Sequence, residues 1–438
     1  MGQAVAAAKA LVGELRVVGR DLALEREALE RIAGWAAQFT PMVHIEPQGI
    51  ALEVGTSLRL FNGHAKMTAA IQRGIRELGF HATIGVAPTP LAARLFARAE
   101  AQGRAVRACI ETAHLEERVA ELPLFLLEWP EQALARLTDL GLLRLRDVLA
   151  LPAEGVARRF GPEVVLSLER LMGRVADPRE PYVAPPRFRS RLELPAEAEG
   201  VEALLFPLKR MLAEFEGYAR GRGMGAQRMS LWLEHGRKVR TRLPLDFASP
   251  EREADFILAI AREKLGRLAL PAATVALDLR VEALLAYAPR TKAWLPGAQE
   301  QQLDQDRLVE RLAARLGSER VFGIAVADDH RPEKDWSVRH SRPRQEHSGT
   351  GSVGNPDRGR RPLWLLPNPR RLVTENDHPV LQGPLELTAG PERIESGWWD
   401  GEEVRRDYYV AGSARGESYW IFREHRDLSA WYLHGVFA

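Results

Sequence analysis

Residues 43–54 constrain the fold of this chain more than any other stretch. Val43 and Ile45, then Ile50, Leu52 and Val54, alternate with polar or small residues, the period of a half-buried strand. Pro47-Gln48-Gly49 separates the two runs with a turn signal. The pattern predicts a β-hairpin, with Glu46 just before the turn and Glu53 beyond it. Residues 24–38 and 64–78 have helical apolar spacing and suit helices packed on such a sheet. Residues 91–99 continue helically behind Thr89-Pro90, with proline at the helix start. Carboxylates on a rigid strand platform are what two-metal phosphoryl transfer needs, converging on cations about 3.5–4 Å apart. Glu46 and Glu53 are a thin set for that task.

The hairpin resembles the palm of the Y-family (translesion) DNA polymerases, whose Ser-Ile-Asp-Glu-Ala-x-Leu-Asp-Val run carries two catalytic carboxylates. Aligned with it, Glu46 stands at the Asp, Pro47 at the adjacent Glu and Glu53 at the later Asp, with one extra residue around Gln48. Proline cannot ligate a metal and fixes the local backbone. A second segment, Ala-Thr-Ile-Gly-Val-Ala-Pro-Thr-Pro-Leu-Ala-Ala-Arg at 82–94, is similar to the family's Ser-Ile-Gly-Ile-Ala-x-Asn-Lys-x-x-Ala-Lys. There the family's triphosphate-holding Lys is replaced by Pro90, and its second Lys by Arg94, which keeps charge but not geometry. Residues 1–18 resemble the stretch after the fingers, so the first palm strand and the fingers are expected to be missing. Palms eroded in this manner are those of the ImuB subfamily, catalytically silent Y-family (UmuC-like) members of bacterial mutagenesis cassettes. Residues 361–367 and 431–438 resemble C-terminal segments specific to it.

At 438 residues the chain has room for two to four domains. Short helices follow one another from 122 to 172, and four prolines make 177–186 an extended linker. From 329 to 361 apolar content collapses, and five of the ten tryptophans lie beyond it. The expected architecture is an α+β multidomain protein. It has a Y-family-like partial palm (1–118), a helix-hairpin-helix thumb (119–177), a little finger with a following helix (178–327), a disordered linker (328–361) and a small β-rich C-terminal interaction domain (362–438). The single cysteine, Cys109, excludes an intramolecular disulfide, and the histidines show no HExxH spacing, so no metal centre is expected. No apolar run reaches 18 residues, and the composition of the first residues leads us to expect no secretory signal. A cytoplasmic, nucleoid-associated protein is the expectation.

Gly141 permits a tight turn before Arg144, and Gly161 repeats the device after Arg158 and Arg159. Each turn leads into a helix whose free amides face a phosphate, although a plain glycine-closed helical hairpin has the same pattern. Arg187, Arg189 and Arg191 alternate and share one strand face, as do Arg240 and Arg242. From 220 to 242 there are seven basic residues against one acid, Glu234. On a little-finger sheet such rows lie along DNA and give affinity without sequence readout; a solvated charged edge strand is the other reading. Gln301, Gln302 and Leu303 sit where family members carry a sliding-clamp peptide, but lack its aromatic anchor. Trp364, Trp398, Trp399, Tyr408, Tyr409 and Trp431 are candidates for a partner surface.

The resemblance implies a non-catalytic adaptor of error-prone translesion synthesis in the SOS response to DNA damage. It would bind DNA and recruit a C-family error-prone polymerase, a RecA-like companion (ImuA) and the sliding clamp, with no cofactor. The other reading is an active translesion polymerase using Glu46 and Glu53 with Mg²⁺.

Overall fold

The computed structural model describes residues 4–12, 14–15, 17–236, 239–288, 298–339 and 361–437, with backbone alone for 298–303 and 339. The chain divides into two compact units, Met1–Ala314 and Arg315–Ala438. The first mixes α-helices with antiparallel sheet, and the second is antiparallel sheet with two single 3₁₀ turns, Ser318–Arg320 and Pro332–Lys334.

In the first unit the expected hairpin forms from Val43–Glu46 and Gly49–Leu52, with Val43 opposite Leu52 and Glu46 opposite Gly49. It is a two-stranded sheet, and residues 81–87 join no ladder. Two strands alone are marginal in water. Helices Leu22–Ala36 and His64–Glu77 cover this pair, burying Ala33, Trp35, Phe39, Val43, Met67 and Ile75 together. Asp21 caps the first helix, its Oδ1 accepting from the amides of Ala23 and Leu24 at 2.9 and 3.1 Å. Helix Pro90–Ala101 starts at Thr89, whose Oγ1 accepts from Ala92 N at 3.2 Å. Its apolar face (Ala92, Leu95, Phe96, Ala99) packs with the short helices up to Leu171 rather than with the hairpin. The hydrophobic boundary therefore lies near residue 90, earlier than the palm-to-thumb boundary the sequence suggests.

A four-stranded antiparallel sheet completes this unit, in spatial order Arg189–Ala198, Thr274–Ala286, Met224–His235, Arg240–Glu251. Helices Val201–Gly221 and Ala254–Gly266 bury one face of it, against Met229, Leu231, Leu233, Leu245, Leu277 and Leu279. The alternate residues, among them Arg189, Arg191, Arg240 and Arg242, face the other way and are exposed.

Helix Val201–Gly221 also meets Leu22–Ala36, and here glycines decide the approach. A Cβ on Gly217 would lie 2.2 Å from Cδ1 of Trp35, and one on Gly74 2.2 Å from its Cζ2. Beside this wedge Arg31 Nε donates to Glu214 Oε1 at 2.9 Å, and Ser190 Oγ donates to Glu214 Oε2 at 2.9 Å. Glu214 is buried, so its charge is acceptable only because both oxygens are satisfied.

The second unit is a five-stranded antiparallel sheet ordered Glu386–Ser396, Val404–Gly412, Ser418–Glu424, Asp427–Val436, Trp364–Arg371. Leu372, Leu385, Ala411, Ile421, Trp431 and Leu433 form one small core, and Ile394, Tyr408, Trp420 and Phe422 another. The expected linker at 328–361 needs correction in its first third. Gly323–Val326 pairs with Trp336–Arg339, and the buried Arg331 between them binds Asp329 at 2.7 Å and Asp400 at 2.6 Å. Polar anchoring of this kind leaves no apolar signature, which is why composition alone reads the segment as a tether. Residues 340–360 lie outside the described residues.

The Trp35 wedge makes a prediction whose sign is informative. Alanine in place of a helical glycine ordinarily gains about 1 kcal/mol, and Gly155, with nothing within 4 Å of its would-be Cβ, should show that gain. Gly217→Ala should instead destabilise, because overpacking costs about 1–3 kcal/mol. Chemical denaturation of both variants checks the contrast, and a stabilised Gly217→Ala would refute the wedge.

Candidate nucleic-acid interface

Glu46, at the end of its strand, is buried. One carboxylate oxygen takes an ion pair from Arg179, and the other lies 3.3 Å from Arg94 Nη1. Arg179 is held in turn by Asp177 at 2.8 Å, and Arg94 also pairs with Glu128. Pro47 occupies the hairpin turn and Pro90 the first turn of its helix. Glu53 turns away to a local task, its Oε1 accepting from Gly55 N at 2.9 Å. The two glutamates are therefore engaged separately, and among the described residues no group of three or more His, Cys, Asp or Glu is arranged so that it could hold a metal ion. This donor set does not fit a two-cation centre: a metal at Glu46 would have to displace two guanidinium groups. Arg179, 133 residues from its partner, lies in what reads as a proline-rich linker, and no local sequence signal marks it.

The helical segment places both turn glycines as the spacing requires, with φ of 76° at Gly141 and 101° at Gly161. The amides leading into Leu145–Leu149 are already occupied: Asp147 Oδ2 accepts from Leu143 N at 3.0 Å and Arg144 N at 2.8 Å. Those two bonds hold the Asp147 carboxyl below its usual range. Glu163 folds its carboxylate over Gly161, where a Cβ would lie 2.1 Å from its Oε1. Each turn thus carries its own anion. Arg144 pairs with Glu121, whereas Arg158 and Arg159 are exposed and without an ion pair among the described residues.

The arginine rows on the sheet are brought together on its open face, as the alternation predicts. They are not the bare cationic row that the count of nearby acids suggests. Arg189 makes two bonds of 2.9 Å to Asp278, which also accepts from Arg280. Arg191 binds Glu193 at 2.8 Å and Glu234 at 2.9 Å. Arg240 binds Glu234 at 2.8 Å, and Arg242 binds Glu282 at 2.6 Å. Burial alone would raise the Asp278 carboxyl, but its hydrogen bonds from Arg189 and Arg280 bring it below the ordinary value. Asp278 and Glu282 come from strand Thr274–Ala286, far along the chain, so a local charge count cannot see them. Arg187 remains exposed and unpaired among the described residues.

In the second unit the six aromatic candidates separate by burial. Trp364, Trp398 and Trp399 are 74%, 77% and 55% exposed. Tyr408 and Trp431 are 1% and 3% exposed and belong to the core, a correction to their reading as partner contacts. The Tyr408 hydroxyl accepts from Arg406 at 3.2 Å and so donates to His434 Nδ1 at 2.8 Å; burial pushes that imidazole down to about 4. Tyr409 is half-buried against Trp431, ring centroids 5.3 Å apart. Strand alternation fixes which aromatics go inside, but either face of an uncovered sheet looks alike in sequence. Gln301, Gln302 and Leu303 fall in helix Ala298–Leu316, and their side chains lie outside the described residues. No helix among the described residues is long and apolar enough to cross a membrane.

Residues 1–98 match the impB/mucB/samB family. The chain is 29% identical, over 474 aligned residues, to Protein ImuB from two strains of Caulobacter vibrioides, NA1000/CB15N and ATCC 19089/CIP 103742/CB 15. Each alignment takes in 100% of this chain and 99% of the relative. Among solved structures, a Dbh ternary complex overlaps 65% of this chain and 85% of its own, at 16% identity and a TM-score of 0.35. A DinB family error-prone DNA polymerase from Sulfolobus solfataricus overlaps 66% and 86%, with the same identity and TM-score. The full-length similarity to Protein ImuB and the family match over residues 1–98 are consistent with an ImuB-type homologue of the Y-family DNA polymerases.

Proposed function

We propose that this chain is a non-catalytic, DNA-binding adaptor of error-prone translesion synthesis. The observation that carries the reading is the pairing of Glu46 with Arg94 and Arg179, which spends the buried carboxylate of the palm hairpin on structure. DNA engages the helical segment through Arg158 and Arg159 and the sheet edge through Arg187, with Arg189, Arg191, Arg240 and Arg242 contributing where phosphate competes with their carboxylate partners. The second unit recruits a C-family error-prone polymerase and a RecA-like companion through its exposed tryptophans, since Trp and Arg are common anchors of protein interfaces. Sliding-clamp recruitment belongs to the same reading through its family resemblance.

Primer extension tests the catalytic half. Purified full-length chain with Mg²⁺ or Mn²⁺ should add no nucleotide to a primed template. Extension that disappears on Glu46→Ala and Glu53→Ala would establish the polymerase reading instead. For the DNA half, the exposed, unpaired arginines should matter most. Replacing Arg158, Arg159 and Arg187 with Gln should weaken binding equally across sequences and flatten the log K against log salt slope by about 2–3 units. Replacing Arg189, Arg191, Arg240 and Arg242 should flatten it less per residue; an unchanged slope in both sets would remove DNA from the proposal. For recruitment, Trp398→Ala with Trp399→Ala should abolish co-purification of the polymerase while melting temperature is held. Retained co-purification would place the contact elsewhere.

A further inference from the structure

The open face of the four-stranded sheet carries one large aromatic residue among its charges. Trp232 lies on strand Met224–His235, opposite Arg242 on one neighbour and Asp278 on the other. The guanidinium carbons of Arg242 and Arg280 lie 5.9 and 5.7 Å from its ring centroid. Neither arginine is loosely placed. Arg242 donates to Ser230 Oγ at 2.9 Å and to Glu282 Oε1 at 2.6 Å, while Arg280 donates to Asp278 Oδ2 through Nε at 2.9 Å. The indole is thus set between two guanidinium groups that carboxylates hold in position, an arrangement assembled before any ligand arrives.

We propose that Trp232, flanked by Arg242 and Arg280, is a stacking site for an unpaired nucleobase. The proposal rests on the reading of the chain as a DNA binder and adds what part of the DNA this face reads. A single indole in a charged field is not the contiguous apolar patch that a protein partner buries. A nucleotide suits it better, with a flat π-face for the ring and an anionic backbone for the cations beside it. Asp278, Glu234 and Glu282 offset much of the arginine charge on this face, so attraction to phosphate is weakened, while the half-buried indole, with Arg242 and Arg280 over its ring, offers a base a π-face beside two cations. A paired base keeps both faces inside the duplex stack, so the ligand is a single strand or an extruded base.

Binding to two fluorescent oligonucleotides of equal length tests this, one of thymidines and one with every base replaced by an abasic tetrahydrofuran unit. Full-length wild type, Trp232→Ala and Trp232→Phe are compared by anisotropy at two salt concentrations, with melting curves to establish folding. Wild type should prefer the thymidine strand, and Trp232→Ala should lose about ten-fold or more on that strand alone. The salt slope should not change, and Trp232→Phe should keep most of the affinity. Equal affinity of wild type for the two strands overturns the stacking site and leaves DNA binding standing. So does an alanine variant that matches wild type, or one that loses equally on both strands. Failure of wild type to bind either strand overturns both readings.

Discussion

Trp35 fills the space left by the absent side chains of Gly74 on one helix and Gly217 on another. Around it, helix Leu22–Ala36 is fixed to helix Val201–Gly221, the same helix that buries one face of the four-stranded sheet. The two-stranded hairpin could not hold its shape without that support. Arg31 and Glu214 add a polar tie beside the wedge, buried on the Glu214 side. Breaking one partner of such a pair costs about 3–5 kcal/mol, so hairpin, helix and sheet answer to the same few side chains.

Much of this arrangement is legible in the residues themselves. Alternation at 43–54 and helical spacing at 24–38 and 64–78 correspond to elements of the structure, because each depends on burying one local face. Turn glycines at 141 and 161 are equally local, each adopting a positive φ. Pairings between distant strands are not legible. The row of Arg189, Arg191, Arg240 and Arg242 looks uncompensated until the register places Asp278 opposite Arg191 and Glu234 opposite Arg240. The same blindness hides Arg179 from Glu46 and Arg331 from Asp400. Charge-charge contacts have no period, so only topology reveals them.

These pairings change what a positively charged sheet can do. An arginine already bound to a carboxylate must exchange one anion for another when phosphate approaches, and the net gain is smaller than for a solvated cation. In a DNA complex of the proposed kind, the arginines without an ion pair among the described residues, Arg158, Arg159 and Arg187, would carry more of the affinity. The carboxylates still have a purpose, since they hold long side chains in one conformation and reduce the entropy lost on binding.

Glu46 illustrates the same economy in the hairpin. Buried carboxylates are costly unless fully paired, and one left beside a turn without a metal would destabilise the fold. Arg94 and Arg179 meet that requirement from a helix and from the segment after Leu171. Glu46 therefore ties hairpin, helix Pro90–Ala101 and the 177–179 segment into one strut. Removing its carboxylate leaves two partly buried guanidinium groups short of an anion, a penalty on stability that is independent of any chemistry on nucleotides. Glutamate at this position is held by what it supports, which is sufficient physical reason for the hairpin to keep an acid there.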